Sequence, residues 1–366
     1  MYFQNFYAFR FLAALAIVVL HVELMGIRFG WRLVPLGELL KLLSLGVDFF
    51  FVLSGFLITG LLLKELDQDQ IRISRFYKRR GLRILPLYFL VVLCVFVVVP
   101  LIGLPEVTGL SLEKGFDLQM GLHLGLLPQV AKSFLPFVPY GGQLWSVGVE
   151  IMFYMLWPLL LAWRSTRCFV VVFILSLIGI KAVAVLTLGS ENSICTFLAM
   201  SRFEVLAIGG LASMVHRDTA SRGARGSKWD SIMVWSFQSV WRWLGVLVVL
   251  SVSTMVSWRW FDDVVHIVCG VLFAVLLLGS AYGLMDSKYL ESRVVKFLGE
   301  ISYGIYVWHF IAIGVIQIIV MKLEITVGDV GFRMVFYLGT FLITFVISAA
   351  SYLIIEKPLN QLRHRL

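Results

Sequence analysis

The sequence predicts an all-α polytopic membrane protein with about ten transmembrane helices. Of its 366 residues, 60% are hydrophobic and only 14% are charged, whereas soluble domains carry about 25% charged residues. Runs of about 20 apolar residues recur along the chain, which is the length that a helix needs to cross a bilayer. We expect a single transmembrane domain over residues 1–366 and no soluble extracytoplasmic domain.

The apolar runs give the order of the helices. The predicted spans are 6–26, 44–63, 82–103, 144–163, 168–189, 195–215, 240–257, 263–284, 296–321 and 331–355. The Gly- and Pro-containing region 100–143 leaves room for an interfacial or re-entrant segment around Met120 to Pro128.

The distribution of basic residues predicts the topology. The net charge is +9, and Lys and Arg collect in every second loop, including the basic segment 75–83. This asymmetry places both termini in the cytoplasm, in agreement with an even number of spans. The charge therefore indicates orientation in a lipid bilayer and no nucleic-acid partner. The four cysteines have no paired spacing, so we expect neither disulfides nor a metal site.

Two ionisable residues, Arg10 and His21, lie on the first apolar run, eleven positions apart. At about 100° per residue, eleven steps return to within about 20° of the starting direction, so both side chains share one helix face about 16 Å apart. Ionisable groups inside a span usually face a bundle interior or a water-filled path. The pair therefore predicts a polar track through the bilayer.

Depth along each span predicts a layer of ionisable side chains. Counted at about 1.5 Å per residue from the cytoplasmic ends, five residues lie at about 17–22 Å: His21, Asp48, Glu150, Arg202 and His309. In such a layer Asp48 or Glu150 orients the His21 ring and raises its basicity. The structural alternatives are a His21 bonded to a neighbouring helix, an Asp48 that fixes helix packing, and a buried Arg202–Glu204 ion pair.

Arg80 and Arg83 form a candidate phosphate site at the cytoplasmic end of the third span. As i, i+3 neighbours they face the same side of a helix. A guanidinium pair at the mouth of a polar track suits phosphate groups, whereas the other basic residues of this segment suit membrane anchoring. Tyr303 lies below the ionisable layer, on the side of this mouth.

Seven short motifs occur in order along the chain. They are Arg10-x10-His21, VDFFFVLSGFLI at 47–58, Arg80-x-x-Arg83 with Pro86, LWSVGVE at 144–150, Arg202-Phe203, LGEISYGIYVWH at 298–309 and Glu356-Lys357-Pro358. Together they resemble the acyltransferase-3 family of integral membrane acyltransferases, and the resemblance covers essentially the whole chain. Some members carry a fused extracytoplasmic SGNH hydrolase-like domain, and we expect a standalone form here.

The resemblance implies transfer of an acyl group, usually acetyl from cytoplasmic acetyl-CoA, to a hydroxyl of an acceptor. It places the essential histidine at His21 with its accompanying arginine at Arg10, and acyl-CoA contacts at Arg80 and Arg83. We assign Arg10 and Tyr303 to the acyl-CoA site as well. His21, Asp48 and Glu150 are the candidate catalytic residues, and a supporting polar layer comprises Arg202, His309, Trp145 and Ser146.

The sequence therefore predicts an acyl-CoA-dependent O-acetyltransferase of the bacterial cytoplasmic (inner) membrane, without a permanently bound cofactor or metal. The expected acceptor is a lipid-linked or exported glycan such as O-antigen or exopolysaccharide. His21, oriented by Asp48, is expected to act as general base, with an acyl-His21 intermediate as the second route. A proton-coupled transporter or flippase of a glycan or lipid-linked intermediate is the competing function, because a polar layer across helices also suits a carrier.

Overall fold

The computed structural model consists of helices joined by turns in the part of the chain it describes. These residues are 3, 5–28, 39–68, 71–102, 116–136, 138, 140–221, 259–283, 290–322 and 329–365. Within these ranges no strand occurs, and nine helices are long and apolar enough to cross a membrane. The prediction of an all-α polytopic membrane protein is confirmed.

The helices are numbered in chain order. They are α1 (Phe6–Arg28), α2 (Leu39–Leu66), α3 (Ile73–Leu93), α4 (Phe116–Leu124), α5 (Pro128–Phe134), α6 (Leu144–Trp163), α7 (Arg167–Leu188), α8 (Ser193–Ser201), α9 (Phe203–Ser221), α10 (Arg259–Ala281), α11 (Arg293–Glu300), α12 (Ser302–Lys322), α13 (Asp329–Ser351) and α14 (Lys357–Arg365). A π-helical turn at Cys94–Val98 extends α3, and another at Tyr352–Glu356 joins α13 to α14.

Nine of the ten predicted spans coincide with helices that can cross a membrane. The predicted span 240–257 lies outside the described residues. The third span begins at Ile73 rather than 82, because the basic segment is already helical. The ninth begins at Ser302 rather than 296, because Arg293–Glu300 forms the separate helix α11. The height of a residue on this helix above the cytoplasmic end is therefore about 9 Å smaller when it is counted from the observed start at 302 than from the predicted start at 296.

The predicted interfacial or re-entrant segment contains α4 and α5, which are both too short to cross a bilayer. His123 is buried in α4, and its Nδ1 contacts the Gln119 carbonyl at 2.7 Å. The Tyr88 hydroxyl donates to the His123 carbonyl at 2.7 Å and ties α4 to α3. Burial lowers the pKa of His123 below its usual value, and the hydrogen bond to Gln119 partly opposes this. The ring is therefore neutral near pH 7.

The chain packs as two compact units. Unit 1 comprises Met1–Ala13, Gly37–Ile73 and Met152–Gly299, and unit 2 comprises Ala14–Leu36, Ser74–Ile151 and Glu300–Leu366. Each unit takes segments from widely separated parts of the chain, and α1 and α6 contribute to both. The prediction of a single domain over residues 1–366 stays a prediction.

In unit 1, helices α2 and α9 pack backbone to backbone through glycines. A Cβ at Gly55 would overlap the carbonyl of Leu206, and one at Gly209 would overlap the carbonyl of Val52. Small residues at such crossings allow the close approach that drives association of membrane helices. Gly55 and Gly209 therefore permit the close approach of α2 and α9. Trp157 strengthens this core, since its Nε1 donates to Thr59 Oγ1 at 2.8 Å.

Helix α12 is the buried centre of unit 2. Its side chains are buried on nearly every face, including Ile305, Val307, Phe310 and Ile313, as expected for a helix that is apolar all round. Helix α13 packs against it where a Cβ on Gly304 would lie 3.1 Å from that of Ser348. Polar residues on α12 are therefore held in one orientation by apolar packing.

We predict that Gly55→Ala lowers the thermal stability of the protein. The added methyl group collides with the Leu206 backbone, which cannot move as a flexible side chain can, and overpacking of this kind costs about 1–3 kcal/mol. The measurement is the unfolding temperature in detergent. Gly179→Ala on α7 is the matched control, because no atom lies within 4 Å of a Cβ at that position. An unchanged unfolding temperature for Gly55→Ala would contradict the packing described here.

Candidate active site and a buried ion network

Polar side chains form a column along α12 in unit 2. Tyr303, Tyr306 and His309 follow one another at intervals of three residues, so each side chain is turned by about 60° from the one before it and the set winds partly around the helix over about 9 Å. Each of the three contacts polar groups from other helices of the unit. The polar track predicted from Arg10 and His21 stays a prediction.

His309 meets His21 of α1 at one end of the column. His309 Nε2 lies 2.9 Å from His21 Nδ1. The ring planes are inclined by 18° and the centroids are 4.9 Å apart. Because the nitrogen–nitrogen distance is much shorter than the centroid separation, the rings meet edge to edge through these atoms, as a hydrogen bond requires. The centroid of the Phe310 ring lies 4.5 Å from that of His21, so the histidine also packs against an apolar ring of α12.

The hydrogen bonds determine the tautomers of both histidines. His309 Nδ1 lies 2.6 Å from the Tyr306 carbonyl, which can only accept, so Nδ1 carries the proton. In the neutral ring Nε2 is then an acceptor, and the proton between the two rings belongs to His21 Nδ1. The basic lone pair of His21 is therefore on Nε2. A relay thus runs from His21 through His309 to the Tyr306 carbonyl.

The middle of the column is formed by Tyr306, Ser146 and Gln143. The hydroxyl groups of Tyr306 and Ser146 are 2.6 Å apart. Gln143 Nε2 donates to the Val307 carbonyl at 2.7 Å, and the backbone carbonyl of Gln143 accepts from the Tyr306 hydroxyl at 3.2 Å. These bonds attach the start of α6 to α12 and fix the Tyr306 ring. Ser146 lies one helical turn before Glu150 on α6.

At the other end, Tyr303 donates its hydroxyl proton to the Ile84 carbonyl of α3 at 3.1 Å. Arg83, Glu150 and Glu356 all lie within electrostatic range of this tyrosine. The structure therefore brings Tyr303, Arg83 and Glu150 to the same end of the column. The catalytic role of Glu150 stays a prediction.

Trp145 and Lys132 lie beside the histidine end of the column. Lys132 Nζ on α5 stands 4.7 Å from the centre of the Trp145 ring, a cation–π contact. Lys132 also interacts electrostatically with His21. An exposed ammonium is thus held near the histidine that the motifs single out.

Two further predicted residues are half-buried on their helices. Arg80 on α3 lies with its guanidinium 5.9 Å from the centre of the Phe76 ring. Arg10 belongs to α1, three turns before His21 on one continuous helix. The binding of acyl-CoA by Arg10, Arg80, Arg83 and Tyr303 stays a prediction.

In unit 1, Asp48 sits in a closed ring of hydrogen bonds. Arg202 Nη1 donates to Asp48 Oδ1 at 2.8 Å, and His266 Nδ1 lies 2.8 Å from Asp48 Oδ2. Arg202 Nη2 lies 2.9 Å from His266 Nε2. A guanidinium has no acceptor, so His266 accepts at Nε2 and donates from Nδ1 to Asp48. The ring comprises one negative and one positive charge with a neutral imidazole.

One predicted pairing is wrong, and one structural alternative is not observed. Asp48 was expected to orient His21, but its two oxygens bind Arg202 and His266, and the His21 ring binds His309. An Arg202–Glu204 ion pair was the structural alternative, but Glu204 Oε1 accepts from Lys181 Nζ at 2.5 Å. Equal heights along helices do not determine which helices are neighbours.

Sequence reasoning missed His266, Lys181, Gln143 and Lys132. His266 and Lys181 are ionisable residues within predicted apolar spans, so the rule that singled out His21 would have found them. Gln143 lies just before the span that begins at 144. Lys132 lies in the region 100–143, for which no span was predicted and where the structure has the short helix α5. Their roles depend on tertiary contacts.

We predict that Asp48→Asn destabilises the protein by about 3–5 kcal/mol, because it leaves the Arg202 charge buried without its counterion. Asp48 is fully buried. Thermal or denaturant unfolding in detergent measures the loss. Asp218→Asn is the control, since Asp218 pairs with Arg167 on an exposed surface, where an ion pair contributes about 0–1 kcal/mol. Equal effects of the two substitutions would refute the buried ring.

Comparison with known proteins agrees with this architecture. Residues 4–353 match the Acyl_transf_3 family, described as an acyltransferase domain. The chain is 25% identical over 334 residues to the O-acetyltransferase OatA of Staphylococcus aureus (strain NCTC 8325 / PS 47), an alignment that covers 87% of this chain and 52% of the relative. It is 24% identical over 383 residues to the peptidoglycan O-acetyltransferase OatA of Listeria monocytogenes, covering 96% and 55% of the two chains.

The chain thus spans about half the length of the curated relatives it matches. No solved structure matches it significantly. The family match extends from α1 into the π-helical turn before α14 and includes both the histidine relay and the Asp48 ring. The chain belongs to the acyltransferase-3 family.

Proposed function

We propose that this protein is a multi-pass O-acetyltransferase of the bacterial cytoplasmic membrane that moves an acetyl group from acyl-CoA to a hydroxyl of a glycan. Family membership supports acyl transfer, and the names of the two relatives supply acetyl as the group and peptidoglycan as a related acceptor. The observation that carries the mechanism is the relay from His21 through His309 to the Tyr306 carbonyl.

His21 is the proposed general base. Its Nε2 lone pair takes the proton of the acceptor hydroxyl while the oxygen attacks the thioester carbonyl. The imidazolium that forms is stabilised through its Nδ1–H bond to His309, whose ring is in turn held by the Tyr306 carbonyl. This arrangement is similar to a catalytic triad, except that the group that orients the base, His309, is neutral. The C–S bond then breaks, and the proton passes from His21 to the CoA thiolate.

Lys132 is the proposed electrostatic partner of the reacting carbonyl. Negative charge develops on the carbonyl oxygen when the tetrahedral intermediate forms, and a preorganised cation lowers that barrier. Its contact with Trp145 holds the ammonium on the side of His21. Arg202 is less suitable for this role, because its guanidinium is bound to Asp48 and His266.

Acyl-CoA is the proposed donor and occupies the lower end of the column. Arg80 and Arg83 supply guanidinium groups suited to the CoA phosphates, and Tyr303 lines the path toward Tyr306 and His309. With both termini cytoplasmic, this end faces the compartment that contains acyl-CoA. The pantetheine arm is long and thin enough to follow the column.

We predict that His21→Ala lowers acetyl transfer by about 10²–10⁴-fold, the contribution of a positioned general base. The measurement is acetyl-CoA turnover by free-thiol release, on purified protein with a panel of glycans. His216→Ala in unit 1 is the control and should retain wild-type turnover. Acceptor-dependent release by the His21 variant at the wild-type rate would overturn the assignment. Radiolabelled acyl-enzyme trapped without acceptor would favour the acyl-His21 route, and an unlabelled enzyme with an intact ternary complex would exclude it.

We predict that His309→Ala lowers kcat by at least about tenfold while the KM for acetyl-CoA stays unchanged, because the His21 ring loses its His309 partner and keeps the bond to the Ile17 backbone. His309→Gln should recover part of the loss, since the amide oxygen can accept from His21 Nδ1. Steady-state kinetics of both variants provide the test. If the two variants are equally impaired, His309 acts through packing and not through the relay.

One observation favours the transport alternative. The sixth span is discontinuous at Arg202, and broken helices that carry buried charges are common at transporter binding sites. The two functions differ in a single property, because only the transferase releases CoA thiol in detergent solution. If the protein neither binds acetyl-CoA nor releases thiol, whether or not an acceptor is present, a carrier is favoured.

A further inference from the structure

A cavity of about 170 Å³ lies in unit 1 beside the Asp48 ring. It is outside the column that contains His21. At about 30 Å³ per water molecule, it has room for about five or six waters, close to the size of one monosaccharide ring. The residues that line it include Arg202, Asp263, His266, Ser190, Thr196 and Met200.

The backbone at Arg202 indicates that this cavity is functional. Helix α8 ends at Ser201 and α9 begins at Phe203, and Arg202 between them has φ +42°. A left-handed backbone conformation is strained at a residue other than glycine, and residues with this strain are concentrated at ligand sites. At membrane depth, non-helical backbone is tolerated only inside protein or beside a water-filled cavity. The bonds from Arg202 to Asp48 and His266 hold this conformation.

The charges around the cavity are already paired. Lys181 lies 2.5 Å from Glu204 and 3.9 Å from Asp263, and Arg202 is neutralised by Asp48. The two charged residues that line the cavity, Arg202 and Asp263, have opposite signs. A charged ligand would therefore lack a dedicated counterion, and a phosphate would face the Asp263 carboxylate. An apolar chain would make no hydrogen bond to the polar side chains that line the cavity, whereas hydroxyl groups can do so.

We propose that this cavity binds an uncharged sugar ring of the acyl acceptor. Sugar hydroxyls both donate and accept, so they can donate to Asp263 and accept from Ser190, Thr196 and Arg202, while the C–H face packs on Met200. In the predicted topology Ser190 and Asp263 lie toward the extracytoplasmic ends of α7 and α10, where an exported glycan is present. This assignment rests on the proposed transferase function.

The test measures sugar binding directly on the full-length protein in nanodiscs, by calorimetry. The probes are chitotetraose and maltotetraose as neutral glycans and inorganic phosphate as the charged competitor. We expect wild type to bind a neutral tetrasaccharide and not phosphate. Asp263→Asn should raise Kd by about tenfold, as expected for the loss of a hydrogen bond to a charged group. Acetyl-CoA affinity should stay unchanged.

Two further variants provide the test if the Asp263→Asn variant does not fold. Thr196→Val keeps the side-chain shape and removes only the hydroxyl, so a smaller rise in Kd is expected. Met200→Trp fills the cavity, so sugar binding should disappear while acetyl-CoA still binds. Asp67→Asn is the matched control, because Asp67 forms an exposed pair with Arg217 elsewhere in unit 1; its Kd should equal that of wild type.

Binding of neither tetrasaccharide to wild type, or wild-type sugar affinity in both Asp263→Asn and Met200→Trp, overturns the sugar site. Phosphate binding that Asp263→Asn strengthens overturns it in favour of an anion site. Failure of the transferase function is seen separately, as absence of acetyl-CoA binding and of thiol release. A sugar Kd that rises in the cavity variants, with acetyl-CoA affinity intact, supports both.

Discussion

An ionisable side chain in the bilayer interior must be paired, and this constraint determines where each polar group of the protein lies. Taking such a group out of water costs several kcal/mol unless hydrogen bonds and opposite charges replace the solvent. Asp48, Arg202 and His266 meet the requirement by closing a ring of three hydrogen bonds. Lys181 meets it with Glu204 and Asp263. The packing of α2, α9 and α10 in unit 1 therefore depends on charge pairing as well as on apolar contact.

Unit 2 satisfies the same constraint without a buried ion pair at its histidines. His21 and His309 share one proton between two rings, and a backbone carbonyl completes the chain of acceptors. Neutral groups avoid the cost of burying charge until a reaction creates it. In the proposed mechanism, His21 carries a charge only during proton transfer, when the relay disperses it. Apolar packing around α12 keeps the geometry fixed in the resting state.

Much of this architecture could be predicted from the sequence, and the limits have a physical reason. Apolar runs determine helices, because a bilayer crossing requires about 20 apolar residues, and nine predicted spans lie where the helices are. Height along a helix also follows from residue number. Rotation about the helix axis and the identity of neighbours do not, since they result from tertiary packing. Asp48 and Arg202 were thus placed at one level correctly, but Asp48 was paired with His21 in error, and His266 was overlooked.

The polar column on α12 also limits the changes in length that this helix can accommodate. Tyr303, Tyr306 and His309 follow one another along the column because their spacing of three residues is close to one helical turn. One residue inserted between Tyr306 and His309 would turn the histidine by about 100° and raise it by about 1.5 Å. The ring would then face apolar packing instead of His21, and the Tyr306 carbonyl would lose its partner. Substitutions outside the column change its surroundings, whereas an insertion within it disconnects the two histidines.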